Sequence, residues 1–262
     1  MKLSLENKHA LVCGSTQGIG KAAALELAGL GATVTLVARN EDELKKVCKE
    51  LPVAFKQNHD YIVADFSKPD ELKSKVDSYI ISNGTIHILV NNTGGPSGGP
   101  ITDAKPEEFI STFSNHLICN HLLAQAVLKG MKEASYGRII NIISTSVKQP
   151  IKGLGVSNTI RAAVANWSKT LAGEVAEFNI TVNNVLPGAT DTIRIANILE
   201  AKSQRTGKSI DELKKEMISE IPMKRLADAG EIANAIAFLA SPAASYITGI
   251  NIPVDGGRTG NL

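Results

Sequence analysis

Three glycines open the chemical reading of this chain. Gly14-Ser15-Thr16-Gln17-Gly18-Ile19-Gly20 has the spacing G-x-x-x-G-x-G and directly follows the apolar run 9–13. Glycine permits a tight turn and close approach of backbone to a ligand. A helix opening behind the turn offers free N–H groups to an anion. A dinucleotide pyrophosphate is the ligand such a turn serves. The spacing departs from the commoner G-x-G-x-x-G, and taken alone it also fits an ordinary strand-to-helix junction. The next run, Thr33–Ala38, ends in Arg39-Asn40. No carboxylate stands there to bond ribose hydroxyls, as NAD sites have about 20 residues past the glycines. Arg39 can instead meet a 2′-phosphate with two parallel hydrogen bonds, which reads as NADP(H). The plainer alternative is a solvated arginine at a strand end.

These residues need a scaffold, and the hydrophobic pattern supplies one. Strands are expected at His9–Cys13, Thr33–Ala38, Asp60–Ala64, Ile86–Val90, Arg138–Ile143, Ile180–Leu186 and Asn251–Val254. Helices are expected from Gly18 to Leu30, from Glu41, after Ser67, from Pro106 to Met131 and from Ser157 to Phe178. Ser67-Lys68-Pro69-Asp70 has the spacing of a capping box with an early proline. Strand–helix alternation predicts right-handed βαβ units. The expected fold class is α/β: a Rossmann-like doubly wound sheet of about seven parallel strands with helices on both faces. Residues 1–262 read as one domain. The polar, Lys/Glu-rich stretch 190–223 reads as a helical insertion over the carboxyl edge of the sheet, on the substrate side.

Composition narrows the function classes. With 28 Lys+Arg against 26 Asp+Glu, the net charge is +2, so a nucleic-acid binder is not expected. An apolar fraction of 43% argues against global disorder. No apolar run approaches the ~18 residues of a membrane helix, and residues 1–9 lack a signal-peptide core. Cys13, Cys48 and Cys119 form neither a disulfide framework nor a zinc pattern. The expectation is a reduced cytoplasmic protein without a metal or a membrane partner.

Together the motifs resemble the short-chain dehydrogenase/reductase family, close in pattern to the 3-oxoacyl-carrier-protein reductases. The resemblance covers nearly the whole chain. Gly14, Gly18, Ile19 and Gly20, with Ser15 and Thr16 between them, match the nucleotide loop. Asp65, followed by Phe66, matches the position beside the adenine. Asn91-Asn92-Thr93-Gly94 resembles N-N-A-G, and Asn183-Asn184-Val185-Leu186-Pro187-Gly188, with Thr190 just beyond, resembles the N-x-x-x-P-G that flanks the nicotinamide. Val254-Asp255-Gly256-Gly257 resembles the C-terminal V-D-G-G. The resemblance implies NADP(H), a small-molecule or acyl-thioester substrate, and a homotetramer or homodimer.

The family's acid–base machinery is Ser, Tyr and Lys with a nearby Asn, the Tyr and Lys four residues apart on one helical face. With strand 138–143 and Trp167-Ser168-Lys169-Thr170-Leu171 as fixed points, Ser144 falls at the Ser position. The Tyr and Lys positions become Ser157 and Arg161. His116 falls where the Asn belongs, with Asn115 adjacent. An aliphatic hydroxyl is a far weaker acid than a phenol and reaches less far. Arg161 can bond a ribose and project charge but cannot relay a proton. Three readings follow: carbonyl reduction with Lys148 or His116 as proton donor, reduction with water as donor or with the oxyanion stabilised by Arg161, or NADP binding without redox chemistry, as a sensor or an inactive subunit.

Overall fold

The computed structural model describes residues 1–261. Seven parallel strands form one sheet in the order β3-β2-β1-β4-β5-β6-β7. They are β1 His9–Cys13, β2 Thr33–Ala38, β3 Asp60–Val63, β4 Ile88–Asn91, β5 Gly137–Ile142, β6 Ile180–Pro187 and β7 Asn251–Val254. The strand order reverses between β1 and β4, and a doubly wound sheet opens its binding crevice at such a switch point. The inner strands are buried on both faces, which is why they read as continuous apolar runs rather than alternating ones.

Helices cover both faces. On one side pack α1 (Gly18–Gly29), α2 (Glu41–Glu50) and α9 (Ala229–Ala240), with Leu27, Leu44 and Ile236 fully buried. On the other pack α3 (Pro69–Asn83), α5 (Cys119–Glu133) and α6 (Gly155–Val175), with Leu72, Leu123 and Val175 in the core. The sequence reading left residues 224–250 unassigned. Helix α9 forms there and opens on a capping box between Asp228 and Glu231.

Two further expectations are corrected, and a third, that 190–223 is helical, is given detail. The proposed box at Ser67 does not form: α3 starts at Pro69 with Lys68 as its cap, and the Ser67 N–H is bound by the Asp65 carboxylate at 2.9 Å. The helix expected over 106–131 is divided. Helix α4 (Pro106–Phe113) runs into a π turn at Ser114–Ile118 before α5 begins. The stretch 190–223 forms two helices, α7 (Ile193–Thr206) and α8 (Ile210–Ser219), the second opened by a capping box between Ser209 and Glu212.

A row of amides crosses the sheet interior. Asn91, Asn141, Asn184 and Asn251 face one another in register on β4 to β7. Their side chains bond in sequence at 2.8, 3.0 and 2.8 Å, and Ser168 of α6 joins the row at Asn141 and Asn184. Buried amides without such partners would each cost about 1–3 kcal/mol.

Candidate active site

The glycine turn is shaped by contacts no other residue allows. Gly14 has φ +57°, and a Cβ there would lie 2.6 Å from the Asn92 carbonyl oxygen. A Cβ on Gly20 would lie 2.1 Å from the Gly14 carbonyl oxygen and 2.7 Å from Asn92 Nδ2. Asn92 closes this corner by donating to the carbonyls of Cys13 and Gly14. Ser15 is buried, and its hydroxyl accepts from the Val37 N–H at 3.1 Å, tying the turn to β2. The Ser15 side chain is therefore committed to the fold. Helix α1 begins at Gly18 and Ile19 with no side-chain cap and no carboxylate in its first turn. Its free N–H groups and dipole favour an anion. Thr16 and Gly18 border this opening, and Thr192 packs against Gly18.

Arg39 is exposed at the carboxyl end of β2. Asp65 follows β3, and its carboxyl is held below the usual range by the Ser67 N–H first, with the Arg39 charge contributing. The two therefore border one end of the crevice. Phe66 lies behind Asp65, its carbonyl bound by the Cys119 thiol. Pro187 ends β6, and Gly188 sits where a Cβ would meet Asp255 at 2.7 Å. Thr190 is buried and donates to the Gly188 carbonyl. Asn183 is consumed structurally, bonding the Ile247 carbonyl and the Ile250 N–H. The bare glycine corner and the uncapped helix fit the pyrophosphate of a dinucleotide such as NAD(P).

The other expected site residues lie on the segments that follow β4 and β5. Ser144 is half-buried, and its oxygen accepts from the Ser146 N–H, leaving the hydroxyl proton free. Arg161 is buried on α6 and donates from Nη1 to the Ile142 carbonyl at 2.9 Å. Burial, then the charge of Arg194, pushes its pKa down to about 10, so it stays cationic at neutral pH. Ser157 is buried one turn earlier on α6. His116 sits in the π turn with Nδ1 2.5 Å from the Thr93 hydroxyl. Burial first, then Arg161 and Arg194, push its imidazole down to about 2, against a hydrogen bond with the Gly94 backbone that acts in the opposite sense. His116 is thus a neutral wall of the site at working pH, and the role of charged proton donor does not suit it. Lys148 is half-buried at the end of a short 3-10 turn, and its carbonyl accepts from Asn261.

Sequence reasoning missed Arg194. It lies on α7, half-buried, and donates from Nη2 to the Pro96 carbonyl at 2.6 Å, closing α7 onto the glycine-rich loop 94–100. Its guanidinium lies against Gly95, where a Cβ would come within 2.9 Å. Ser146, whose buried hydroxyl lacks a partner among the described residues, was also missed. All four tyrosines lie elsewhere: Tyr61 and Tyr79 on β3 and α3, Tyr136 bonded to the Ala240 carbonyl, and Tyr246 fully exposed before β7. Among the described residues no cluster of three His, Cys, Asp or Glu side chains is placed to hold a metal, and no helix is long and apolar enough to cross a membrane.

Comparison with known proteins identifies the family and the fold. Residues 14–259 match the family model described as enoyl-(acyl carrier protein) reductase. The chain is 34% identical to the 3-oxoacyl-[acyl-carrier-protein] reductase FabG of Pseudomonas aeruginosa, covering 97% of this chain and 98% of that protein. It is 31% identical to the NADPH-dependent reductase BacG of Bacillus subtilis, over 97% and 98%. The structure of L-sorbose reductase from Gluconobacter frateurii, complexed with NADPH and L-sorbose, superposes with a TM-score of 0.92 at 32% identity over the whole of both chains. Matched along nearly its full length in sequence and in fold, the chain belongs to the short-chain dehydrogenase/reductase family of NAD(P)-dependent oxidoreductases.

Proposed function

We propose that the chain is an NADP(H)-dependent reductase that turns a carbonyl into an alcohol with Ser144 and Arg161 in place of a phenolic acid. The observation that carries this reading is the tether of Arg161 to the carboxyl end of β5. Its guanidinium is fixed on Ile142, two residues before Ser144, on the strand that borders the Asn92–Thr93–Gly94 corner. A nicotinamide dinucleotide, when bound, supplies the hydride. The protein's part is to hold the substrate oxygen between the Ser144 hydroxyl and the Arg161 guanidinium as negative charge develops on it. Arg161 keeps its proton throughout. The alkoxide takes its proton from solvent, with Lys148, half-buried four residues after Ser144, as the side chain proposed to pass one on. Ser157, buried on α6 and shorter than a phenol, is not given the acid's place in this reading.

NADP(H) rather than NAD(H) rests on Arg39, exposed where a 2′-phosphate would lie and without a carboxylate on β2 beside it. A 3-oxoacyl thioester is the substrate the FabG relative favours, and a small carbonyl compound the one the sorbose reductase favours. Exposed Ile110 and Phe113 on α4 support the same proposal's dimer or tetramer.

The test is NADPH oxidation against acetoacetyl thioester and a panel of ketones, aldehydes and diketones, with NADPH fluorescence reporting binding. Turnover is expected, and Arg161→Met should lower kcat about 10²–10³-fold, the usual loss of an oxyanion donor. Binding without turnover on any carbonyl would favour an NADP-binding protein without redox activity. Binding of neither dinucleotide would defeat both readings.

A further inference from the structure

Two guanidiniums lie close enough for the charge of one to act on the other, and no carboxylate among the described residues pairs with either. Arg161 comes from α6 and Arg194 from α7, and each makes a single hydrogen bond, to the carbonyls of Ile142 and Pro96. Neither takes part in an ion pair among the described residues, although nine such pairs form elsewhere. Withdrawing a cation from water without a counter-charge costs several kcal/mol. A neutral acceptor such as a backbone carbonyl repays only part of that.

The electrostatics of the neighbours agree. The Arg194 charge depresses Arg161, and both depress His116, while no carboxylate acts on any of the three. Arg194 also lies against Gly95, where a Cβ would come within 2.9 Å of its guanidinium. The pyrophosphate cradle at Gly14–Gly20 has its own donors in α1 and does not need these two.

We propose that the substrate carries a carboxylate beside the carbonyl that is reduced, and that Arg194 is the residue that binds it, with Arg161 on the carbonyl oxygen. The substrate class is therefore a 2-oxo acid. The identity of the reacting group rests on the reductase reading above; the anion site rests on the two arginines alone. A guanidinium is suited to this task because its paired donors match the two oxygens of a carboxylate.

The experiment pairs an activity ratio with a binding measurement. Activity is read as kcat/KM for 2-oxobutanoate divided by that for methyl 2-oxobutanoate, each with NADPH. Wild type should prefer the acid at least tenfold, and Arg194→Met should remove that preference while Arg194→Lys keeps part of it. Because both substrates are read in the same variant, general damage cancels from the ratio. Binding is read by calorimetry of oxamate on the NADP-loaded protein, with expected loss in Arg194→Met. Equal use of acid and ester by wild type would overturn the proposal, as would a variant that loses NADPH affinity and leaves the ratio unchanged. If no carbonyl is turned over, the reductase reading fails by itself. Oxamate binding that depends on Arg194 then still upholds the anion site, and its absence overturns that too.

Discussion

At the scale of single residues, the site divides into side chains with free chemistry and side chains already spent. Asn92, Ser15 and Asn183 are spent: their polar atoms close the glycine corner, fasten it to β2 and anchor the approach to β7. Arg39 is free, and it gives the sharpest test. Arg39→Glu places a carboxylate where ribose hydroxyls would bond and a 2′-phosphate would be repelled. The ratio of NADPH to NADH affinity should fall at least about tenfold, worth ~1.4 kcal/mol, measured by fluorescence titration of both. An unchanged ratio would remove Arg39 from the cofactor site. Residues whose role depends on local backbone were legible in the sequence: Gly14 and Gly20 are readable because a tight turn demands them. Arg194 was not, because it reaches the pocket only when α7 folds back onto Pro96, 98 residues earlier in the chain. No local pattern encodes that contact.

At the scale of elements, strands were legible to within a residue or two because burial on both faces leaves an unbroken apolar run. The π turn at 114–118 was invisible, since the apolar period of 106–131 passes through it without a break. Such turns gather at functional sites, and this one carries His116 to Thr93. Helix α1 offers an internal contrast. Gly20→Ala drives a methyl into the Gly14 carbonyl and should cost about 1–3 kcal/mol and abolish NADPH binding. Gly29→Ala, at the far end of the same helix with nothing within 4 Å, should be neutral or stabilising by up to ~1 kcal/mol. Urea titration and NADPH fluorescence of both variants check the pair. Equal behaviour would mean that the corner is not as tightly packed as its distances state.

At the scale of the whole molecule, the candidate site lies at the carboxyl ends of the strands, and three of the five histidines, His9, His59 and His87, gather at the amino ends. His9 bonds Thr35, which bonds Tyr79, while His59 and His87 accept backbone N–H groups of Val34 and His9. Burial, then His87, pushes His9 from 6.5 down to about 4. The unfolded chain therefore binds more protons between those values. Stability from this group is complete above about pH 6.5 and drains away as the pH falls toward 4. The urea midpoint should drop across that window, and His9→Gln should make the drop smaller, the share of the likewise depressed His87 and His116 remaining. A slope unaffected by the substitution would place the acid sensitivity elsewhere. The amide row from Asn91 to Asn251 has a consequence for how this end state is reached. Parallel strands of similar apolar character can pair one residue out of step at little cost in burial. Here such a slip would strand several amides at once in a dry interior. The row thus works as a key cut into four strands, penalising every misaligned sheet during assembly and admitting the one alignment that brings Ser144, Arg161 and the glycine corner to a common rim.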